Sequence, residues 1–233
     1  MHLFSEEFLS ALGGWQRGWR EIQSDRLALG LALIKASSNL PAEFRTVEHP
    51  CYRKRFIHEG EFVDLFLVDQ RDEGIASWTT DLKFAERLKG LTRPDAISGA
   101  IFRHTPTPDE VVLNTVALWK SDEFRTRAAQ YRKEAGKDAK ALWNFRDTQA
   151  EIILTSPLKG SEVIALTGTS SPFDQLCDRE NIAESQRDGL FKMLVEAGVY
   201  VGEPTYVDPG KSQAVIAGMI QKFYEKISKL RGS

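Results

Sequence analysis

The stretch FRDTQAEIILTSPLKGSEV, residues 145–163, places Glu151 at the head of the apolar run Ile152-Ile153-Leu154. Such a run, bounded by polar and proline-containing segments, predicts a buried strand. A side-chain period of two sets Gln149 and Glu151 on one face at its entrance. A carboxylate there is either the solvated end of a strand or a group that a rigid element aims into a cleft.

Working outward, short strands and helices alternate without a regular βαβ rhythm. Upstream, SDEFRTRAAQYRKEAG (121–136) predicts a polar helix, and DEVVLNTV (109–116) and AISGAIFRH (96–104) predict strands. GIASWTTD (74–81) is a short strand whose Thr80 or Asp81 caps the helix DLKFAERLKG, which Gly90 ends. CYRKRFI (51–57) reads as a strand, and FVDLFLV (62–68) is a second apolar run beside it. Residues 4–36 predict at least two short helices broken at Gly13-Gly14. Downstream come a strand at VIAL (163–166) and helices near 180–198 and 211–230. In the last of these, Val215, Ile216, Met219, Ile220, Phe223 and Ile227 form an apolar stripe. The pattern is α+β.

A chain of 233 residues, 42% of them hydrophobic, can bury one full-sized core. Its net charge of -2 does not mark a polyanion binder. Cys51 and Cys177 lack metal-ligand spacing, so no metal is expected, and a reducing cytoplasm is. The start MHLFSEEFLSALGGW has no secretory pattern, and no stretch of about 18 apolar residues predicts a membrane span. No GxGxxG or GxxxxGK[ST] occurs.

Three polar features each fall at a strand: Arg53 or Arg55 in CYRKRF, Ser77-Trp78-Thr79 in IASWTTD, and Gln149-x-Glu151 in TQAEIIL. Over residues 50–167 their order and character resemble the arginine, serine-threonine and glutamate signature of the mono-ADP-ribosyltransferases, which use NAD as an ADP-ribose donor. The resemblance implies a split, mainly antiparallel ADP-ribosyltransferase-like core with helices before and after. The expected layout is one domain over 1–233, with helical regions at 1–49 and 171–233 flanking a catalytic core at 50–170.

The chemistry gives each residue type a reason. Cleaving the nicotinamide–ribose bond passes through an oxocarbenium-like state that a fixed carboxylate stabilises, the part the resemblance gives to Glu151. An arginine holds pyrophosphate or ribose oxygens through its planar fork, and Arg53 is preferred to Arg55 because it follows Tyr52. By resemblance, Ser77 supports the glutamate and Thr79 braces the strand pair and the nicotinamide side. Gln149 then addresses the acceptor, with Trp143 and Phe145 in the loop before it, and glutamine at this position points away from arginine as the acceptor. Trp78, between Ser77 and Thr79 in the alternation, should face the core.

The segment 119–146 carries eight Lys or Arg against four acids, with Trp119, Tyr131, Trp143 and Phe145 interleaved. That suits a nucleic-acid acceptor, and equally a solvated helix with its aromatics inside. The expectation is therefore an NAD-dependent transferase acting on a nucleic acid or protein, with no membrane partner. It is expected as the toxin of a toxin–antitoxin or phage-defence system, paired with an inhibitor protein. The alternatives are an NAD glycohydrolase and a non-enzymatic nucleic-acid-binding module.

Overall fold

Strands β1 (Cys51–Ile57), β2 (Ala76–Thr79), β3 (Ser98–His104), β4 (Val111–Asn114), β5 (Glu151–Leu154), β6 (Val163–Thr169) and β7 (Pro204–Tyr206) form a seven-stranded antiparallel sheet. Their order is β4-β5-β2-β1-β3-β6-β7. Helices α1 (Glu6–Arg17) and α2 (Gln23–Ser37) precede the strands. Helices α3 (Leu82–Arg87), α4 (Thr115–Lys120), α5 (Asp122–Glu134) and α6 (Lys137–Asn144) lie among them. Helices α7 (Phe173–Arg179), α8 (Glu184–Glu196) and α9 (Pro209–Arg231) follow. The computed structural model describes residues 3–18, 23–134, 137–146, 149–169, 173–199 and 204–231. Among these no helix is long and apolar enough to cross a membrane.

The chain packs as two units that interleave in sequence. One comprises Met1–Arg53, Gln70–Ala85 and Arg103–Lys159, and the other Lys54–Asp69, Glu86–Phe102 and Gly160–Ser233.

In the first unit β5 lies between β4 and β2, and all four of its residues are buried. Ile153 joins a core with Phe4 just before α1, Phe8 and Leu12 of α1, Leu33 of α2, Phe124 of α5 and Leu142 of α6. Phe4 meets Phe44 and Phe124 edge to face, at centroid separations of 5.3 and 5.2 Å. Helix α1 starts where Ser5 Oγ accepts from the Phe8 amide (3.2 Å), with Glu6 and Glu7 in the first turn. It runs unbroken through Gly13-Gly14, contrary to the expected break. Both glycines are buried, and a Cβ on Gly14 would stand 3.3 Å from Leu29 Cδ2. Close packing, not a turn, explains glycine here. Gly30 in α2 is tighter still, since a Cβ there would fall 2.1 Å from Ile75 Cγ2.

The capping residue of α3 is Asp81, whose Oδ1 accepts from the Phe84 amide at 3.1 Å. His104, at the end of β3, is buried, with Nε2 3.1 Å from Glu110 Oε2 and 2.9 Å from Ser156 Oγ. Glu110 also accepts from the Thr107 amide at 2.7 Å. Burial raises the Glu110 carboxyl, but the Thr107 amide, His104 and Ser156 together outweigh it and hold the group at about 2.

In the second unit β6 pairs with β3 and β7. Helix α9 is tied to that sheet by Ser212 Oγ, which accepts from the Leu166 amide (2.9 Å), and by Gln213 Nε2, which donates to the Val163 carbonyl (2.7 Å). Ile216 is buried but Val215 is half exposed, so the packed face of α9 is narrower than the apolar stripe. FVDLFLV is a π-helical turn over Val63–Leu67: the Val68 amide bonds the Val63 carbonyl, and only Leu65 and Phe66 turn inward. The two cysteines are buried free thiols, Cys51 in the first unit and Cys177 in the second, and burial pushes Cys51 up to about 12.

Two outcomes follow for stability. Gly30→Ala should lower unfolding free energy by about 1–3 kcal/mol in urea titration, because crowding at Ile75 outweighs the gain in helix propensity. The Glu110 carboxyl sits below its ordinary value near 4.5, so its contribution is complete above that pH and is lost as pH falls to about 2. Glu110→Gln should therefore flatten the acid limb of the stability profile across that interval.

Candidate active site

Glu151 enters β5 directly from a strained residue. Ala150 has φ +42°, in the left-handed region that L-residues seldom occupy, and its carbonyl accepts from the Thr80 amide at 3.2 Å. That kink ends the extended chain, so Gln149 lies in a bend outside the strand, half buried. The period-two argument that set Gln149 and Glu151 on one face does not reach across it.

Within the sheet, β2 and β5 pair Thr79 with Glu151 and Ser77 with Ile153. Side chains two residues apart on one face are diagonal neighbours across such a ladder. Ser77 Oγ accordingly donates to Glu151 Oε1 at 2.5 Å. From α1, Gln16 Nε2 donates to Glu151 Oε2 at 3.0 Å. From the start of α4, Thr115 Oγ1 donates to the Glu151 main-chain carbonyl at 2.8 Å. The carboxylate is 4% exposed, and both of its oxygens are held by neutral donors. Two elements besides its own strand thus hold the carboxylate, and a third holds the main-chain carbonyl of the same residue.

Arg53 closes on the same strand pair. The described β1–β2 pairing is Tyr52 with Thr79, and further along β2 the Ser77 carbonyl accepts from Arg53 Nη1 at 2.7 Å. A guanidinium here takes the carbonyl that a continuing ladder would pair with a main-chain amide. Its Nε and Nη2 donate to Glu73 Oε2 at 3.2 and 2.8 Å, with the two side chains 24% and 12% exposed. Arg55 lies in the second unit, where its Nη2 bonds Glu61 Oε1 at 2.7 Å. Of the two arginines, Arg53 is the one at Ser77.

Thr79 is buried, and its Oγ1 accepts from the Asp81 amide at 3.0 Å, which fastens the turn after β2. Trp78 turns the other way, as the alternation requires, and packs on His104 at a centroid separation of 5.7 Å. Trp143 is not in a loop: it belongs to α6, meets Trp119 edge to face at 5.3 Å and donates from Nε1 to the Ala128 carbonyl at 3.3 Å. The Arg132 and Arg146 guanidiniums lie 5.0 and 5.3 Å from its ring centroid. Tyr131 is buried as well, so these aromatics of the basic segment serve packing. Phe145 is half buried just beyond α6, its amide on the Ala141 carbonyl at 3.2 Å.

Three participants escape a strand-by-strand reading: Gln16, Thr115 and Glu73. For Gln16 a signal existed, since it continues the buried stripe of Leu9 and Leu12 along α1. Thr115 and Glu73 carry no such mark in sequence. A hollow in the second unit lined by Arg93, Ser98, Gly99 and Thr167 includes none of the candidate residues. Among the described residues, no group of three or more His, Cys, Asp or Glu is gathered to hold a metal.

No family model, curated protein or solved structure matches this chain.

Ser77→Ala removes the hydroxyl donor from a buried carboxylate and should cost about 1–3 kcal/mol of unfolding free energy. Ser77→Thr, which restores a hydroxyl in a strand, should recover most of it in the same urea titration.

Proposed function

We propose that the chain is a mono-ADP-ribosyltransferase: it cleaves the nicotinamide–ribose bond of NAD and transfers ADP-ribose to a macromolecular acceptor. The observation that carries this reading is the Ser77 Oγ to Glu151 Oε1 bond, made on paired strands beside an arginine bound to the Ser77 carbonyl. A serine-held glutamate and an arginine on three separate strands are what the sequence resemblance requires.

On this reading the donor sugar approaches past Ser77 and Arg53, the half-buried members of the set. The glycosidic carbon–nitrogen bond breaks with its electron pair passing to the pyridinium nitrogen, so nicotinamide leaves neutral. The anomeric carbon takes the positive charge, and Glu151, shielded from water, stabilises it. The acceptor's lone pair then closes on that carbon, and its proton passes to solvent. Arg53, steadied by Glu73, offers its remaining N–H groups to pyrophosphate or ribose oxygens. Gln149, in the bend before Glu151, meets the acceptor, taken as a nucleic-acid base or an amide or thiol side chain. A transferase of this kind acting on its own cell fits a toxin held by an inhibitor protein.

Purified chain incubated with NAD labelled in the adenylate moiety and with fractionated lysate should pass label into a nuclease- or protease-sensitive product. Glu151→Gln should reduce this at least about a hundredfold while the variant stays folded. Release of free ADP-ribose and nicotinamide alone would make the protein a glycohydrolase. No turnover of NAD in any fraction would remove the enzymatic reading.

A further inference from the structure

We infer that Gln16 is a positioning residue of this site, its amide fixing the Glu151 carboxylate for the reaction, so that the N-terminal helix is part of the catalytic apparatus. The inference rests on the transferase reading of Glu151. The amide's direction follows from chemistry. An ionised carboxylate only accepts hydrogen bonds, so the Nε2 end of Gln16 must face Glu151 Oε2, 3.0 Å away, and the Oε1 end is turned elsewhere. Gln16 is 6% exposed, and its Oε1 is buried without a hydrogen-bond partner among the described residues.

An orphaned buried acceptor is destabilising. It stands in a stripe that Leu9 and Leu12 otherwise fill with fully buried apolar side chains. The orphaned acceptor accompanies the one bond the amide makes among the described residues, the donation to Glu151 Oε2, which an apolar residue would not supply. Ser77 Oγ holds one carboxylate oxygen and Gln16 Nε2 the other, which fixes both the plane and the direction of the group. Ser77 comes from a neighbouring strand, whereas Gln16 comes from a helix 135 residues away in sequence.

The discriminating change is Gln16→Met, which keeps the length and bulk of the side chain and deletes only the donor. Nicotinamide release from NAD should fall about tenfold or more in kcat with KM for NAD nearly unchanged, in a variant that still unfolds cooperatively and is destabilised about as much as Ser77→Ala. Where the methionine variant does not fold, Gln16→Leu replaces it, likewise without a donor, with the same split expected. Unchanged kcat, or a loss confined to KM, overturns the inference and leaves the transferase reading standing. A chain that folds only with glutamine at this position makes Gln16 a structural residue and also overturns it. Wild-type protein that releases no nicotinamide fails the transferase reading itself, and the inference falls with it.

Discussion

A carboxylate withdrawn from water has to be held by donors, and in this protein that requirement gathers parts of the chain from far apart. Glu151 takes one donor from β2, one from α1 and, through its carbonyl, one from the start of α4. An uncompensated buried charge costs several kcal/mol, a large share of the net stability of a domain. The neighbours of Glu151 are therefore constrained in position more strictly than apolar packing alone would demand. The placement of α1 is doubly determined, by the apolar contacts of Phe8, Leu9 and Leu12 and by the Gln16 amide.

The backbone pays for this arrangement at Ala150, which holds a left-handed conformation next to the residue whose direction matters most. The kink separates two roles. Glu151 belongs to a rigid strand with all of its residues buried, whereas Gln149 sits in a bend that the strand does not constrain. On the proposed function, that is a division between a donor-binding group that must be fixed and an acceptor-facing group that adapts.

Arg53 ties β1 to β2 through a side chain. Its guanidinium occupies the Ser77 carbonyl and is itself anchored by Glu73. The basic segment over α5 and α6 is arranged differently from an open stacking surface. Trp143 packs against Trp119 with two guanidiniums near its ring, and Tyr131 is buried. Base stacking on these rings would require displacing contacts already made.

The sequence by itself determined the α+β class, the strand at Glu151–Leu154 and the inward turn of Trp78, whereas the grouping of Ser77 with Glu151 entered only through the family resemblance. Each depends on local periodicity or on a short motif, and the two-residue alternation of a strand is independent of what packs on it. Tertiary structure decided what local pattern leaves undetermined. Gly13-Gly14 looked like a turn because glycine's backbone is permissive, yet its small size serves the approach of Leu29. FVDLFLV has the composition of a strand and folds as a π-helical turn, because only Leu65 and Phe66 find buried surroundings. Arg53 and Arg55 are interchangeable in the strand pattern and were separated by which carboxylate each meets, Glu73 or Glu61. Gln16 and Thr115 reach Glu151 from helices distant in the chain, and contacts between residues so far apart are fixed by packing rather than by any spacing a sequence displays.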